Sequence, residues 1–329
     1  MNASVRFTMR LDPDAATGAT EMYDTALEIA QRADRSGANA IVISEHHGSD
    51  DGYLPSPLVL ASAVAARTER VPIVVSALLG LFYDPVHLAE DLAVLDILSG
   101  GRLVCTLGIG YRPEELAMFG VDAKSRGDRM EELIGFLRDA WSGQPVDHPT
   151  RGAMTVTPQP RTPGGPMLMY GGHSKAAARR AARHQMLFQA VSDDPALTEA
   201  YEEEAARVGV EPVGCMLVAP GTPTSLFIAD DVDAAWAEIG PCLLNDATRY
   251  SDWNAERDGI ASIERAQTID ELRSGDSYVI VTPVDARARR DAGRPLVLDP
   301  LCGGLAPEPA LRYFEQAIAA LEVDGTGAR

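Results

Sequence analysis

At 329 residues, 46% of them apolar, the chain has material for one large α/β domain with an ample core. Its 48 acidic against 29 basic residues leave a net charge of −19, which argues against nucleic acid and anionic membranes as partners, since both repel such a surface. Only Lys124 and Lys175 are lysines, and Cys105, Cys215, Cys242 and Cys302 form no CxxC pair, so Schiff-base, P-loop and structural-zinc chemistry find little support.

In chain order, "VRFTMRL" (Val5–Leu11) reads as a first strand, and "MYDTALEIAQRADRSG" as a helix closed by Gly37. "ANAIVIS" is a second strand, running into Glu45-His46-His47 and an acidic, glycine-bearing loop. A helix follows from Pro57, with Ser56 in the N-cap position. "VPIVVSALL" is a third strand. Asp84-Pro85 repeats the cap-then-proline device, and Leu88, Leu92 and Leu95 lie on one helical face. "RLVCTLGIG" is a fourth strand, and a helix from about Gly127 puts Met130, Leu133, Ile134, Leu137 and Trp141 on one face. The proline-rich stretch 143–166 breaks the rhythm and reads as an insertion with a short hairpin. "PMLMYGG" and "SKAAARRAARH" are the fifth strand and its helix; "QMLFQAV" and 194–209 are the sixth pair. "GCMLVAPGTPTSLFIADD" is expected to be a seventh strand interrupted at Pro-Gly-Thr-Pro. A helical region over 233–272 in two or three pieces follows, then "PLVLDPLCGG" as an eighth strand with its helix over 307–321.

Eight βα units predict an α/β TIM barrel, as one domain over 1–329 with insertions near 143–166 and 245–290. A doubly wound sheet is the rival, but the first strand runs into "MRLDPD" with no glycine fingerprint. No apolar run reaches the roughly 18 residues a membrane span needs, and "MNASVRFTMRLD" lacks a signal pattern, so a cytoplasmic protein is expected.

Function in a barrel collects where strands end. Adjacent strand residues point to opposite faces, so His46 and His47 cannot both point inward, which speaks against a two-histidine metal clamp. One imidazole in the barrel mouth could hydrogen-bond or move a proton; a pair of loop-capping histidines is the plainer alternative. The small pair Ser76-Ala77 leaves room for a flat ligand, or serves tight packing. Gly108-x-Gly110 before Tyr111 allows close backbone approach beside an aromatic. "YGGHSKAAARRAARH" joins two glycines and a serine N-cap to a helix bearing Lys175, Arg179, Arg180 and Arg183, which reads as a phosphate site or as a solvated basic face. Cys302 reads as structural.

Taken together, "SEHH", "YLPSPLVLASAVAARTERVPI", "DPVHLAEDLAVLDILSGGRL", "LGIGYRPEELAMFGVD", "GGHSKAAARRAA" and "PLCGGLAPEPA" resemble the bacterial luciferase-like monooxygenase family of flavin- and deazaflavin-dependent oxidoreductases. The resemblance implies a TIM barrel with a flavin-type cofactor at the C-terminal rim. It makes His46 the active-site histidine and puts Tyr111 near the ring. Ser76-Ala77 falls where the family often carries a non-prolyl cis peptide or bulge. Gly171, Gly172, His173 and Ser174 fall on the phosphate turn. Ser44, Gly108 and Gly110 complete the expected cofactor contacts, and no metal is expected. An arginine that some relatives carry near Ile109 is missing, which leaves the phosphate to the Gly171–Ser174 turn and its basic helix.

The leading expectation is a monooxygenase of the two-component type, using reduced FMN from a partner reductase and dioxygen on a small organic substrate, as a homodimer. Hydride transfer with the deazaflavin coenzyme F-420 is the alternative, and a non-catalytic flavin-binding protein a third. The "GIGYRPEEL" form leans toward flavin.

Overall fold

The computed structural model describes residues 1–11, 18–148, 150–219, 221–257, 260 and 263–322. Its twelve strands are β1 (Ser4–Phe7), β2 (Ala40–Ile43), β3 (Ile73–Leu78), β4 (Leu103–Leu107), β5 (Val146–His148), β6 (Gly152–Met154), β7 (Met167–Gly172), β8 (Leu187–Ala190), β9 (Cys215–Met216), β10 (Ser225–Ile228), β11 (Tyr278–Val281) and β12 (Val297–Leu298). The helices are α1 (Ala19–Arg35), α2 (Pro57–Arg67), α3 (Pro85–Ser99), α4 (Pro113–Met118), α5 (Arg126–Ala140), α6 (Lys175–Arg183), α7 (Ala196–Val208), α8 (Val232–Trp253), α9 (Ile269–Ser274), α10 (Pro283–Asp291) and α11 (Pro307–Leu321).

Ten strands make one sheet, ordered β11-β10-β12-β1-β2-β3-β4-β7-β8-β9, with parallel pairings throughout. Side-chain alternation decides what each strand buries. Val5, Phe7, Ile41, Ile43, Ile73 and Val75 are fully buried under the helices. The other parity, Arg6, Ser76, Thr106 and Gln189, borders a single interior cavity together with Ser44 and His46 beyond the end of β2. An open sheet could not turn residues from β1, β3, β4 and β8 onto one cavity, so the sheet is rolled into the expected barrel.

The helices form where caps and apolar faces direct them. The Asp84 carboxylate accepts from Val86 N and His87 N at the start of α3, and Gly100 ends it at φ +70°. Met130, Leu133, Ile134 and Leu137 bury one face of α5, with Trp141 buried just beyond it. The proline-rich stretch carries the expected hairpin, β5 paired antiparallel with β6. Ser56 precedes α2, but its side chain makes no capping bond.

Beyond β8 the structure departs from expectation. The seventh strand is two strands at different places in the sheet: β9 extends beside β8, while β10 lies between β11 and β12; Pro220, in the interruption between them, is outside the described residues. "SYVIVTPVDARARR" forms β11 and most of α10, a βα unit inside the stretch expected to be an insertion near 245–290. The 233–272 region is two helical pieces, as expected: α8, continuous across Pro241, and the short α9. Among the described residues no helix is long and apolar enough to cross a membrane.

Candidate active site

All eleven residues expected at the site line one cavity of about 660 Å³ at the C-terminal ends of the strands: Ser44, His46, Ser76, Ala77, Gly108, Gly110, Tyr111, Gly171, Gly172, His173 and Ser174. The volume is that of an ordinary small-molecule pocket. A second hollow of about 760 Å³, shallow and external, lies between α1 and α11 around Arg32, Arg35 and Glu315, and holds none of them.

The two histidines diverge, although both lie beyond the end of β2. His47 Nε2 lies 2.9 Å from Glu45 Oε1, and the ring packs against Phe82 and Phe119. The same Glu45 carboxylate accepts from Leu79 N at 2.6 Å and Tyr83 OH at 2.9 Å. That cluster anchors the loop. Among the described residues no group of three or more His, Cys, Asp or Glu side chains is placed to hold a metal ion.

His46 faces the cavity with its Nδ1 2.9 Å from Glu115 Oε1. That oxygen also accepts from His47 N at 2.9 Å and from the Arg112 guanidinium at 3.0 Å. Burial opposes the Glu115 charge, yet His46, the His47 amide and Arg112 together hold its carboxyl below the usual range. Burial pushes the His46 imidazole below its usual 6.5, helped by Arg112 and Arg10 and opposed by Glu115. A carboxylate can only accept, so Nδ1 carries the proton that Glu115 receives. The rings of Tyr53, Tyr111, Tyr250 and Trp253 surround His46 at centroid distances of 5.0, 5.7, 6.1 and 4.7 Å. Trp253, at the end of α8, is sandwiched between the guanidinium groups of Arg10 at 4.5 Å and Arg112 at 4.2 Å.

The Ser76–Ala77 peptide is cis. Beside it, the Gln189 carbonyl oxygen accepts from Thr106 Oγ1 at 2.7 Å and Ser76 Oγ at 3.3 Å, which leaves its amide N–H groups free to face a ligand. Gly108 packs against Ala77 so closely that an added Cβ would meet the Ala77 Cβ at 2.9 Å.

Next to Gln189 in the sheet, the turn 171–174 opens α6, and Ser174 Oγ caps it by accepting from Ala177 N at 3.2 Å. The basic helix does not serve this turn as expected. Arg180 and Arg183 are spent on Glu131, and Arg183 also on Glu204, which ties α6 to α5 and α7. Arg126 and Arg257 line the cavity instead. Arg126 donates to Gly110 O at 2.8 Å. Arg257 lies 2.9 Å from His173 Nδ1, donates to Asn254 Oδ1 at 2.7 Å and stacks 4.3 Å over the Tyr111 ring. The pocket thus brings together an imidazole, the small positions Ser76, Ala77 and Gly108, an aromatic ring and two guanidinium groups.

Glu115, Gln189, Arg126 and Arg257 were not among the expected residues. Glu115 stands inside the quoted "GYRPEEL" and could have been raised as a partner for His46. Gln189 and Arg257 carry no such signal, since Thr106 and His173 lie 83 and 84 positions from them.

Comparison with known proteins finds flavin- and F-420-dependent enzymes. A 171-residue stretch is 30% identical to the oxygenase component of a flavin-dependent trigonelline monooxygenase from Acinetobacter baylyi, covering 51% of this chain and 47% of that one. An F-420-dependent glucose-6-phosphate dehydrogenase from Amycolatopsis mediterranei is 33% identical over 128 residues, 37% of this chain and 38% of that one. The chain spans about half the length or less of these curated relatives. The fold matches a monooxygenase from Streptomyces bottropensis at TM-score 0.75, with 23% identity and 98% of both chains covered. It matches the FMN complex of the oxygenating constituent of 3,6-diketocamphane monooxygenase from Pseudomonas putida at TM-score 0.71, with 19% identity and the same coverage. The sequence profile of the luciferase-like monooxygenases matches residues 1–292, and the chain belongs to that family.

Proposed function

We propose that the protein is the oxygenase of a two-component flavin monooxygenase, taking reduced FMN from a separate reductase and using dioxygen on a small organic substrate. The observation that carries this reading is His46, held at Nδ1 by Glu115, lining the same cavity as Ser76, Ala77, Arg126 and Arg257. The similarity to an oxygenase component supports it.

When bound, reduced FMN would supply the two-electron activation of dioxygen. The residues supply the rest. Ser76, Ala77 and Gly108 leave a flat slot that Tyr111 closes from the rim. The 171–174 turn, with Arg126 and Arg257, would hold the phosphate. The aromatic rings around His46 exclude water from its Nε2. His46 would accept or return a proton there, while Glu115 keeps the other nitrogen protonated. A cytoplasmic location would suit a supply of reduced FMN from a reductase. A second copy would pack on α2 and α3, whose outer faces expose Val59, Val94, Ile97 and Leu98.

The test is product formation under air with enzymatically reduced FMN. His46→Ala should lower kcat by roughly 10²–10⁴-fold. Unchanged oxygenation in His46→Ala would remove the proton role. Hydride transfer with F-420 is the second reading, favoured by the F-420-dependent relative. Mixing the protein with each reduced cofactor and following absorbance under air separates the two, because only the flavin reacts with oxygen.

A further inference from the structure

We propose that Arg6 anchors the substrate, a neutral and mostly apolar molecule held by one carbonyl oxygen on the side of the cavity away from Ser76 and Ala77. The proposal rests on the flavin reading above, which gives the Ser76–Ala77 side to the cofactor, and it names the class of molecule left to the other side.

The sheet order separates the two sides. Ser76, Gly108 and Gly171 stand on or just beyond the neighbouring strands β3, β4 and β7. Arg6 stands on β1, which pairs with β12; β12 in turn pairs with β10, and Thr224 directly precedes β10. Arg6 and Thr224 both line the cavity, and Tyr250 of α8 lies near enough to bear on the Arg6 charge. Interior positions of a barrel are ordinarily filled by branched apolar side chains, and Arg6 puts a guanidinium there instead. Its Nε and Nη2 donate to Asp299 Oδ2 at 3.0 and 2.7 Å. Asp299 is fully buried and also accepts from Thr8 Oγ1 at 2.6 Å and Thr8 N at 3.3 Å. A buried ion pair is weak evidence of stability, because apolar residues of the same volume often do as well. This pair does fix the guanidinium, and among the described residues no acceptor takes a bond from its Nη1. The Arg6 side chain stays 19% exposed while that of Asp299 is fully covered.

The chemistry of the wall selects the ligand. A guanidinium only donates, so the atom it meets must accept. Asp299 already balances the Arg6 charge. Burial pushes the Asp299 carboxyl up, opposed by Arg6 and helped by Asp246, so a further carboxylate beside it would be repelled. Amines fare no better. Among the described residues Glu45 is the one carboxylate on the cavity wall, and its oxygens are taken by Leu79 N, Tyr83 OH and His47. Arg126 and Arg257 add positive charge to the same wall. A neutral acceptor remains, and a carbonyl oxygen accepts without bringing a donor of its own to satisfy. The bond it receives from Arg6 is charge-assisted. Ile260 and Ile263 give the cavity apolar surface for the rest of the molecule.

The experiment is ligand-observed NMR titration of the full-length protein with cyclohexanone, cyclohexane, cyclohexanecarboxylate and cyclohexylamine, beside a separate titration with oxidised FMN. Arg6→Met alone would leave Asp299 buried without its partner, so the variant is Arg6→Met combined with Asp299→Asn, with Arg6→Lys beside it and melting temperature as the folding control. In the wild type the ketone should bind more tightly than the other three. The double variant should weaken the ketone roughly tenfold to hundredfold. Cyclohexane and FMN should bind the double variant as they bind the wild type, and Arg6→Lys should retain part of the ketone affinity. Equal losses for ketone and hydrocarbon would make Arg6 a piece of wall and overturn the anchor. An unaltered ketone affinity in the folded double variant overturns it too, as does a carboxylate or amine that binds the wild type more tightly than the ketone. In each of those cases normal FMN binding leaves the flavin reading standing. Absent FMN binding with the ketone preference and its loss intact overturns the flavin reading and supports the anchor.

Discussion

A single oxygen, Glu115 Oε1, takes three donors, from His46, His47 N and Arg112. Its other oxygen is buried without a partner. The carboxylate is therefore committed to orienting His46 and does not reach the cavity, which makes Glu115 a positioning residue. The sign of its effect on pH dependence follows. Burial and two guanidinium groups lower the His46 pKa, so the acid limb of activity should lie below the usual imidazole value of 6.5. Glu115 alone opposes that shift at close range. Glu115→Gln keeps an acceptor for Nδ1–H but removes the charge, so the limb should move to still lower pH. Glu115→Ala removes the acceptor too, and kcat should fall roughly tenfold to hundredfold. A kcat–pH profile decides it, and an unmoved limb in Glu115→Gln would mean a role confined to packing. The strand-end rule and the resemblance find His46 and the turn 171–174 because those residues lie in short contiguous motifs. They miss Gln189 and Arg257 because the Thr106–Gln189 and His173–Arg257 contacts join residues 83 and 84 positions apart.

Among the elements, α8 does most to shape the mouth. Its last turns bring Tyr250 and Trp253 over His46 and lead to Asn254, which donates to Tyr111 OH at 3.4 Å. The helix is held at its middle by the tight turn 302–304. Gly303 adopts φ +64°, and an added Cβ would lie 1.8 Å from Cys242 O. No rotamer relieves a backbone overlap, so Gly303→Ala must push α8 away. A loss of about 2–4 kcal/mol in unfolding free energy is expected, read by denaturant melts. Flavin affinity should also fall in protein that remains folded, because Arg257 moves with the helix. Native flavin binding in the variant would show that the roof does not depend on this contact. The first six barrel strands were legible because each lies in a short β-rich run that alternates with a helical pattern. The part around α8 was not: β9 and β12 are two residues long, too short for periodicity, and the partners of β10 and β11 are decided by burial across the barrel.

For the molecule as a whole, a net charge of −19 sets copies of the chain against one another, so any self-association needs an apolar face to overcome repulsion. The neighbouring helices α2 and α3 provide one. Helices on a barrel's surface should be polar outside, yet α2 turns outward Val59, Ala63 and Ala66, with no charge until Arg67, and α3 turns outward Val94, Ile97 and Leu98 after Glu90 and Asp91. Val59 is 71% exposed and Leu98 54%, a waste of apolar surface in a monomer. Covering them with the same face of a second copy would give an isologous pair with a buried area of about 1,200–2,000 Å². Light scattering of the purified protein should then report twice the chain mass at micromolar concentration. Leu98→Glu and Val94→Asp, which place carboxylates at the seam and touch neither the cavity nor the buried side of α3, should give monomers with little change in FMN binding. A monomeric wild-type protein, or dimers that survive both substitutions, would put the contact elsewhere and leave the apolar face of α2 and α3 without a partner.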